Sequence, residues 1–303
     1  MFETLISLKE QATLDVMSKY LNKNYKKVIT TKEYILAFGD IPIALVAHAD
    51  TVFEDVVVRK ELFYDATKRV YWCPQGAGFD DKAGIAAIIE IVESGLRPNV
   101  IITTQEETGA IGACVLAGKK CPFKDLRYII QLDRRGEKDC VFYDCENLKF
   151  IDYVESFGFK EAWGTFSDIS VLCPAWGVAG VNLSIGYQNE HTKQELLREA
   201  WYEATVERVI KMLQSVPTAK FKYVASFNYL KHFTHIKCAK CGKFHLEEDL
   251  FPVVNKEGKN QLWCGDCVAK TPLTWCSTCF SAIESNGETV IVRECDQCKK
   301  KEV

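Results

Sequence analysis

The stretch Gly76-Ala77-Gly78-Phe79-Asp80-Asp81-Lys82-Ala83-Gly84 decides how this chain is read. It sets two adjacent carboxylates between a glycine-rich turn and a run of small apolar residues, Ala83-Gly84-Ile85-Ala86-Ala87-Ile88-Ile89-Glu90, that reads as a buried helix. Acidic side chains are tolerated at a helix N-terminus by the dipole, so a well-capped helix explains them. A divalent-cation site explains them equally well. The flanking sequence decides between the two.

Upstream, an amphipathic helix over residues 3–22 and short strands at Lys27–Thr31 and Tyr34–Phe38 precede Ile41-Pro42-Ile43-Ala44-Leu45-Val46-Ala47, a buried strand that ends in His48-Ala49-Asp50. A histidine there can bind a metal while the aspartate two residues on holds its other ring nitrogen and fixes the tautomer. Val56–Val58 and Val70–Cys73 form a β-rich link to the central stretch. Downstream, the helix ends near Gly95. A strand at Val100–Thr104 then runs into Gln105-Glu106-Glu107, and one at Arg127–Leu132 ends in Asp133. Ligands in open α/β sheets bind outside the carboxyl ends of the strands. His48, Glu106, Glu107 and Asp133 all fall at such ends, and Asp80 in a loop entering a helix. Solvated loop acids account for one such placement, not for five.

Further on, a strand at Cys140–Tyr143, a helix over Leu148–Phe157, a short helix capped by Ser167 or Asp168, and a strand at Val178–Ile185 lead to His191, the only other histidine before residue 220. Thr192-Lys193-Gln194-Glu195 fits a capping box for a long helix ending near Val216, which makes Glu195 a helix cap.

The 303 residues hold one large α/β domain with a small module, or two medium domains. With 48% hydrophobic and 26% charged residues and a net charge of −3, neither nucleic acid nor an anionic membrane is expected as the main partner. The N-terminus lacks the basic and apolar regions of a signal peptide, and no apolar run is long enough to span a bilayer. A cytoplasmic location is expected. Of 14 cysteines, six are scattered before residue 220, and eight follow it as four Cys-X-X-Cys pairs. In a reducing compartment the pairs read as zinc ligands and the scattered six as buried thiols.

Two cations about 3.5 Å apart need a bridging carboxylate and roughly one further histidine and one carboxylate each. The set His48, Asp50, Asp80, Glu106, Glu107, Asp133, His191 supplies these and leaves a glutamate over as a general base. In this order the set resembles the di-zinc exopeptidases: the leucyl aminopeptidase, tripeptide aminopeptidase (peptidase T) and carboxypeptidase G-like enzymes. The resemblance rests on Ala47-His48-Ala49-Asp50-Thr51, Gly78–Gly84, Gln105-Glu106-Glu107, Leu132-Asp133 and His191, and covers roughly residues 1–215. It implies a three-layer, mixed-sheet α/β fold. It further implies that His48 and Asp133 hold one zinc and Glu107 and His191 the other, with Asp80 bridging through a cis Asp80–Asp81 bond. Asp50 would orient His48, and Glu106 would take a proton from the attacking water and pass it to the leaving amine. Cobalt or manganese would serve in place of zinc. Ser167-Asp168 resembles a Ser/Thr-Asp segment of several such enzymes, and a helix cap explains it as well.

Only 57 residues separate Asp133 from His191, too few for the lid or dimerisation domain of the larger branches. The core is therefore expected to be minimal, and oligomeric state and specificity do not carry over. Arg134 and Arg135, next to a ligand position, are candidates for a substrate carboxylate or are simply solvated.

Residues 220–303 form the second expected domain, with Cys238/Cys241, Cys264/Cys267, Cys276/Cys279 and Cys295/Cys298. Each tetrahedral zinc takes two such knuckles, and spacers of 22 and 15 residues suit two ribbons, each built from consecutive pairs; cross-bracing is the alternative. His232, His235 and His245 flank the first knuckle, but four cysteines suffice. So short a segment lacks an adequate core without metal. Its 13 Lys/Arg against 10 Asp/Glu give no general nucleic-acid face, although Lys231, Lys237, Lys240 and Lys243 make a local basic cluster. Such ribbons bind proteins or nucleic acids, or stabilise a neighbouring domain.

The expected function is a metal-dependent aminopeptidase acting on short peptides. A carboxypeptidase or an N-acyl-amino-acid amidohydrolase is the nearest alternative, and a non-catalytic peptidase-like scaffold with a ribbon adaptor is an alternative of another class. A cysteine peptidase lacks a supporting signature around any scattered cysteine.

Overall fold

The computed structural model describes residues 1–53, 60–225, 236–245, 250–277, 281–293 and 296–299. Val56–Val58, Lys231, His232, His235, Cys279 and Cys295 lie outside the described residues. The chain forms two compact units, Met1–Ala225 and Ser226–Val303. No helix among the described residues is long and apolar enough to cross a membrane.

The first unit is built on an eight-stranded sheet. Its centre is β3 (Ile41–His48), flanked in parallel by β6 (Pro98–Thr103) and β7 (Tyr128–Arg134), with β10 (Gly180–Ser184) parallel to β7. The antiparallel pair β1 (Val28–Thr30) and β2 (Tyr34–Ala37) closes one edge, and β8 (Asp139–Val141) and β9 (Lys160–Glu161) the other, in the order β1-β2-β6-β3-β7-β10-β8-β9. The central strands are mostly apolar because both faces are covered, with Asn99, Gln131 and Asn182 as buried polar exceptions. Their side chains alternate strictly. Ile43, Leu45, Ala47, Val100, Ile102, Tyr128, Ile130 and Leu132 join the core beneath α2 (Glu10–Asn24), α3 (Phe79–Glu93), α5 (Leu148–Glu155) and α7 (Glu199–Gln214). Ala44, Val46, Ile101 and Ile129 face the opposite core, under α4 (Ile111–Ala117) and α6 (Asp168–Trp176). Three layers result, as expected.

The Gly76–Gly84 stretch sits where two layers meet. Gly78 has φ +69°, a conformation open to glycine, and precedes two residues of non-helical backbone, Asp80 and Asp81, before the regular helix begins. The Asp80–Asp81 peptide is cis. Asp81 is fully buried and acts as a brace: its Oδ2 accepts from the backbone N–H of His48 (3.1 Å) and its Oδ1 from that of Gly84 (3.0 Å), tying the end of β3 to the first turn of α3. A Cβ on Gly84 would lie 2.4 Å from both Asp81 Oδ1 and the Leu132 carbonyl, so only glycine lets the helix approach the end of β7.

Two expectations fail: of the scattered cysteines expected as buried thiols, Cys114 is exposed and Cys121 half-buried, and the capping box is not one. The helix ending near Val216 does not start at a Thr192–Glu195 capping box; α7 begins at Glu199. Leu196–Arg198 instead form β12, paired antiparallel with β5 (Val70–Trp72) in a second sheet of order β11-β12-β5-β4, where β4 is Phe63–Asp65 and β11 is Tyr187–Gln188. Pairing with β5 outcompetes the helical turn, and Thr192 Oγ1 closes a local turn with Asn189 and Gln194. Glu195 is thereby freed for another task. Between Asp133 and His191 the chain forms only β8, α5, β9, α6, β10 and β11. Residues 220–225 belong to this unit: Phe221 packs on Tyr128, Phe150 and Tyr153.

The second unit contains a five-stranded sheet whose central strand, Ala282–Glu284, lies between Leu250–Val254 and Leu273–Cys276, with Asn260–Cys264 paired to Leu250–Val254. Its buried cluster among the described residues is small and includes Cys238 and Cys264.

Candidate functional site

The carboxyl ends of β3, β6 and β7, the Gly78–Asp81 turn and the loop between β11 and β12 converge. Five of the expected metal donors come together in two overlapping groups, His48/Asp80/Asp133 and Asp80/Glu107/His191, whose donor atoms lie within 4.8 Å of one another in each group. His48 Nε2 is 3.1 Å from Asp80 Oδ1 and 3.5 Å from Asp133 Oδ1. His191 Nε2 is 3.1 Å from Asp80 Oδ2 and 3.0 Å from Glu107 Oε2. Asp80 thus offers one oxygen to each histidine.

Asp50 faces away from this cluster. Its Oδ1 lies 3.2 Å from His48 Nδ1 and accepts from the Glu106 N–H (3.1 Å), while Oδ2 accepts from the Glu107 N–H (3.1 Å). Burial alone would raise its pKa, but these partners outweigh that and lower it. One carboxylate therefore fixes the His48 ring and the backbone that carries both glutamates.

Asp133 is held by Ser167, singled out in the sequence only as a cap or as part of the Ser167-Asp168 segment, and by residues that the sequence did not single out. Gln131 Nε2 (3.0 Å) and Ser167 Oγ (2.9 Å) donate to its Oδ2, and the Tyr187 hydroxyl (3.2 Å) to its Oδ1. Asn182 accepts from its backbone N–H and donates to its carbonyl. The available signal was a polar residue within an otherwise apolar buried strand: Gln131 in β7 and Asn182 in β10. Ser167 does stand at the N-cap of α6, but its hydroxyl is given to Asp133. Asp168 is buried, with Oδ2 accepting from Thr103 Oγ1 (2.5 Å) and Oδ1 without a partner.

Glu195, expected as a helix cap, is buried under the Gly78–Asp81 turn. Its Oε2 accepts from the Gly78 N–H (2.6 Å) and its Oε1 from the Asp80 N–H (2.9 Å). Lys82, also buried, donates to Thr13 Oγ1 (2.7 Å) and to the Ala49 carbonyl.

Carboxylates crowded so tightly keep protons they would lose in water. Burial and the Asp133 charge push Glu106 up to about 9. Burial and Asp80 push Asp133 up to about 6, and burial takes Asp168 up to about 7. Glu107 Oε1 is buried without a partner among the described residues. Positive charge placed among these groups relieves both the repulsion and the unpartnered oxygen, so the donor set suits divalent cations. A cavity of about 410 Å3 opens onto the cluster, lined by Asp80, Glu106, Glu107, Asp133 and His191 and walled by Arg134, Trp163 and Phe166.

No family model matches this sequence, and no curated protein does. Solved structures do match. A tripeptidase from Staphylococcus aureus (13% identity, TM-score 0.57) aligns over 71% of this chain and 96% of its own. A TET aminopeptidase from a marine-sediment Thaumarchaeota archaeon (14%, TM-score 0.55) aligns over 71% and 96%, and aminopeptidase PepT from Bacillus cereus (14%, TM-score 0.51) over 70% and 96%. Its fold is that of tripeptidases and TET-type aminopeptidases. The three-layer architecture that the resemblance implied is thereby met.

In the second unit Cys238, Cys241, Cys264 and Cys267 bring their sulfurs within 4.8 Å of one another. Four sulfurs at about 2.3 Å from a tetrahedral zinc stand about 3.8 Å apart, and Cys241 Sγ lies 3.8 Å from Cys264 Sγ. Burial opposes ionisation of Cys238, but N–H groups of Cys241, Cys264 and Lys240 outweigh it and hold the thiol down to about 6. The cluster fits a zinc ribbon built from consecutive pairs rather than a cross-brace. Cys276 Sγ and Cys298 Sγ, also 3.8 Å apart, follow the same pairing.

Proposed function

We propose that the first unit is a metal-dependent peptidase, an aminopeptidase acting on short peptides, with two divalent cations held by His48, Asp80, Asp133, Glu107 and His191. The observation that carries this reading is the placement of Asp80, which turns one oxygen toward His48 and the other toward His191. A lone cation site has no use for that arrangement, whereas a bridging carboxylate requires it. Zinc is the cation favoured by the mixed imidazole and carboxylate set.

Bound there, the cations supply Lewis acidity to a carbonyl oxygen and acidity to a water molecule. The chain supplies the rest. Asp50 holds the proton on His48 Nδ1 and so leaves Nε2 as a donor atom. Gln131, Ser167 and Tyr187 orient Asp133. Glu106 lines the cavity and carries no ligand duty; its carboxylate takes a proton from water as the amide carbon is attacked and returns it to the departing amine nitrogen. The four cysteines of the second unit serve a structural zinc.

The test is mass spectrometry of a mixed peptide pool with free, N-blocked and C-blocked termini, treated with metal-loaded protein. Stepwise loss from free N-termini is expected. Loss from C-termini, or removal of an acyl block, moves the assignment to a carboxypeptidase or amidohydrolase, and absence of any metal-dependent cleavage overturns it.

A further inference from the structure

Two adjacent arginines follow Asp133 into the cavity wall, and their guanidinium groups are differently employed. Arg135 is exposed and spends its charge on Glu190, 2.5 Å away. Arg134 is not: among the described residues no carboxylate lies within ion-pair distance of it. One of its terminal nitrogens donates to the Trp163 carbonyl (3.0 Å), which fixes the group against the 163–166 segment, and its Nε is buried with no partner. A guanidinium presents a fork of N–H donors that matches a carboxylate. Held in place by Trp163, lining the cavity, and with no carboxylate partner among the described residues, Arg134 lacks only the anion.

The charge balance of the cavity points the same way. Asp80, Glu106, Glu107 and Asp133 line it with four carboxylates, which two divalent cations neutralise; Arg135 and Glu190 cancel each other. The charge of Arg134 is what remains, within reach of whatever occupies the cavity. Beside it Trp163 and Phe166 stand 79% and 47% exposed, an apolar surface for the stem of a side chain.

We propose that Arg134 is the anion-recognition residue of this cavity and that its preferred substrates carry a carboxylate on one of the two residues flanking the scissile amide. The inference rests on the di-metal peptidase reading for the word substrate, and on Arg134 alone for the anion. The carboxylate has two sources, an acidic side chain or the terminal carboxylate of a very short substrate.

Titration calorimetry on the metal-loaded protein separates them without turnover. Glutamate against glutamine reports the side-chain source, and N-acetylalanine against its amide the terminal one. In one arm the carboxylate is expected to bind about 10- to 100-fold more tightly than its amide. Arg134→Gln should abolish that difference, and Arg134→Lys, which keeps charge but loses the fork, should retain part of it. The same ratios should appear in kcat/KM for Glu-Ala-amide against Gln-Ala-amide, and for Ala-Ala against its amide. No discrimination in either arm, or discrimination unchanged in both variants, overturns the proposal. If Arg134→Gln fails to fold, Arg134→Lys decides alone: an undiminished ratio refutes it. Arg134-dependent binding without peptide cleavage refutes the peptidase reading and keeps this one, whereas cleavage with no preference for a carboxylate does the reverse.

Discussion

Residues 1–225 and residues 226–303 both gather metal donors, but around very different cores. The first unit buries two apolar layers on either side of an eight-stranded sheet, and its donors sit at the rim of that sheet, opening onto a cavity. The second gathers four sulfurs at the centre of its own small cluster, where Cys238 and Cys264 are themselves core residues. Nitrogen and oxygen donors with an open side suit chemistry, and a closed set of thiolates suits a fold. On the proposed reading, one metal site is added to a structure that stands without it, while the other is part of what makes a structure stand.

Chelation tests that contrast most severely. Structural zinc contributes about 10–16 kcal/mol in domains of ribbon size, more than the net stability of a small domain. Under a strong chelator and a reductant, the second unit should lose its resistance to proteolysis, while the first keeps its helical circular dichroism and most of its thermal stability. A second unit that stays resistant with all four thiols titratable would remove the contrast.

Glu106→Gln sharpens it from the other side. If Glu106 is the base proposed above, its removal with shape and size kept should lower kcat by about 10²- to 10⁴-fold, yet leave the metal content of both units and the melting temperature as they were. Full activity in this variant would take Glu106 out of the mechanism; lost metal would make it a ligand.

How far the sequence reveals all this follows the same division. Apolar strands buried on both faces end in chemistry, and so His48, Asp80, Glu107, Asp133 and His191 could be selected by where they fall. Asp50 could be paired with His48 because it lies two residues on, but the contacts around Asp133 could not be placed. Gln131, Ser167, Asn182 and Tyr187 reach Asp133 from four different elements, and their contact depends on strand order, which local pattern does not encode. Glu195 misled for a physical reason: Thr-X-X-Glu is a capping box when helix follows, but here the residues after it are claimed by β5 through pairing across more than a hundred positions of chain. In the second unit the knuckles were legible because four Cys-X-X-Cys pairs carry little else; consecutive pairing was the expectation, and the grouping of Cys238, Cys241, Cys264 and Cys267 fits it better than a cross-brace.

Gly84→Ala breaks the first unit by a route that involves no metal. The added methyl would meet the Leu132 carbonyl, which is backbone and cannot swing aside. Forcing α3 away from β7 should cost about 1–3 kcal/mol and lower the first thermal transition, with the second unit unaffected. An unchanged melting temperature would mean that the helix has slack to shift, and that the approach is not tight.

Glu195→Gln is the finest cut, because it alters neither core, donor set nor base. The native carboxylate accepts from Gly78 and Asp80 at once, which requires both oxygens. A glutamine keeps one acceptor and turns an NH2 group toward the other N–H, so one hydrogen bond is lost and two donors confront each other. The turn that carries Asp80 should then be held less well. Groups that orient a metal ligand typically affect affinity by about 10- to 100-fold, and a loss of that size is expected in competition with a chromophoric zinc chelator. The thermal transition of the metal-free protein should move little. Were affinity untouched while stability fell, Glu195 would belong to the scaffold; a fall in affinity alone assigns it to the placement of Asp80, and extends the metal site of the first unit one layer beneath its ligands.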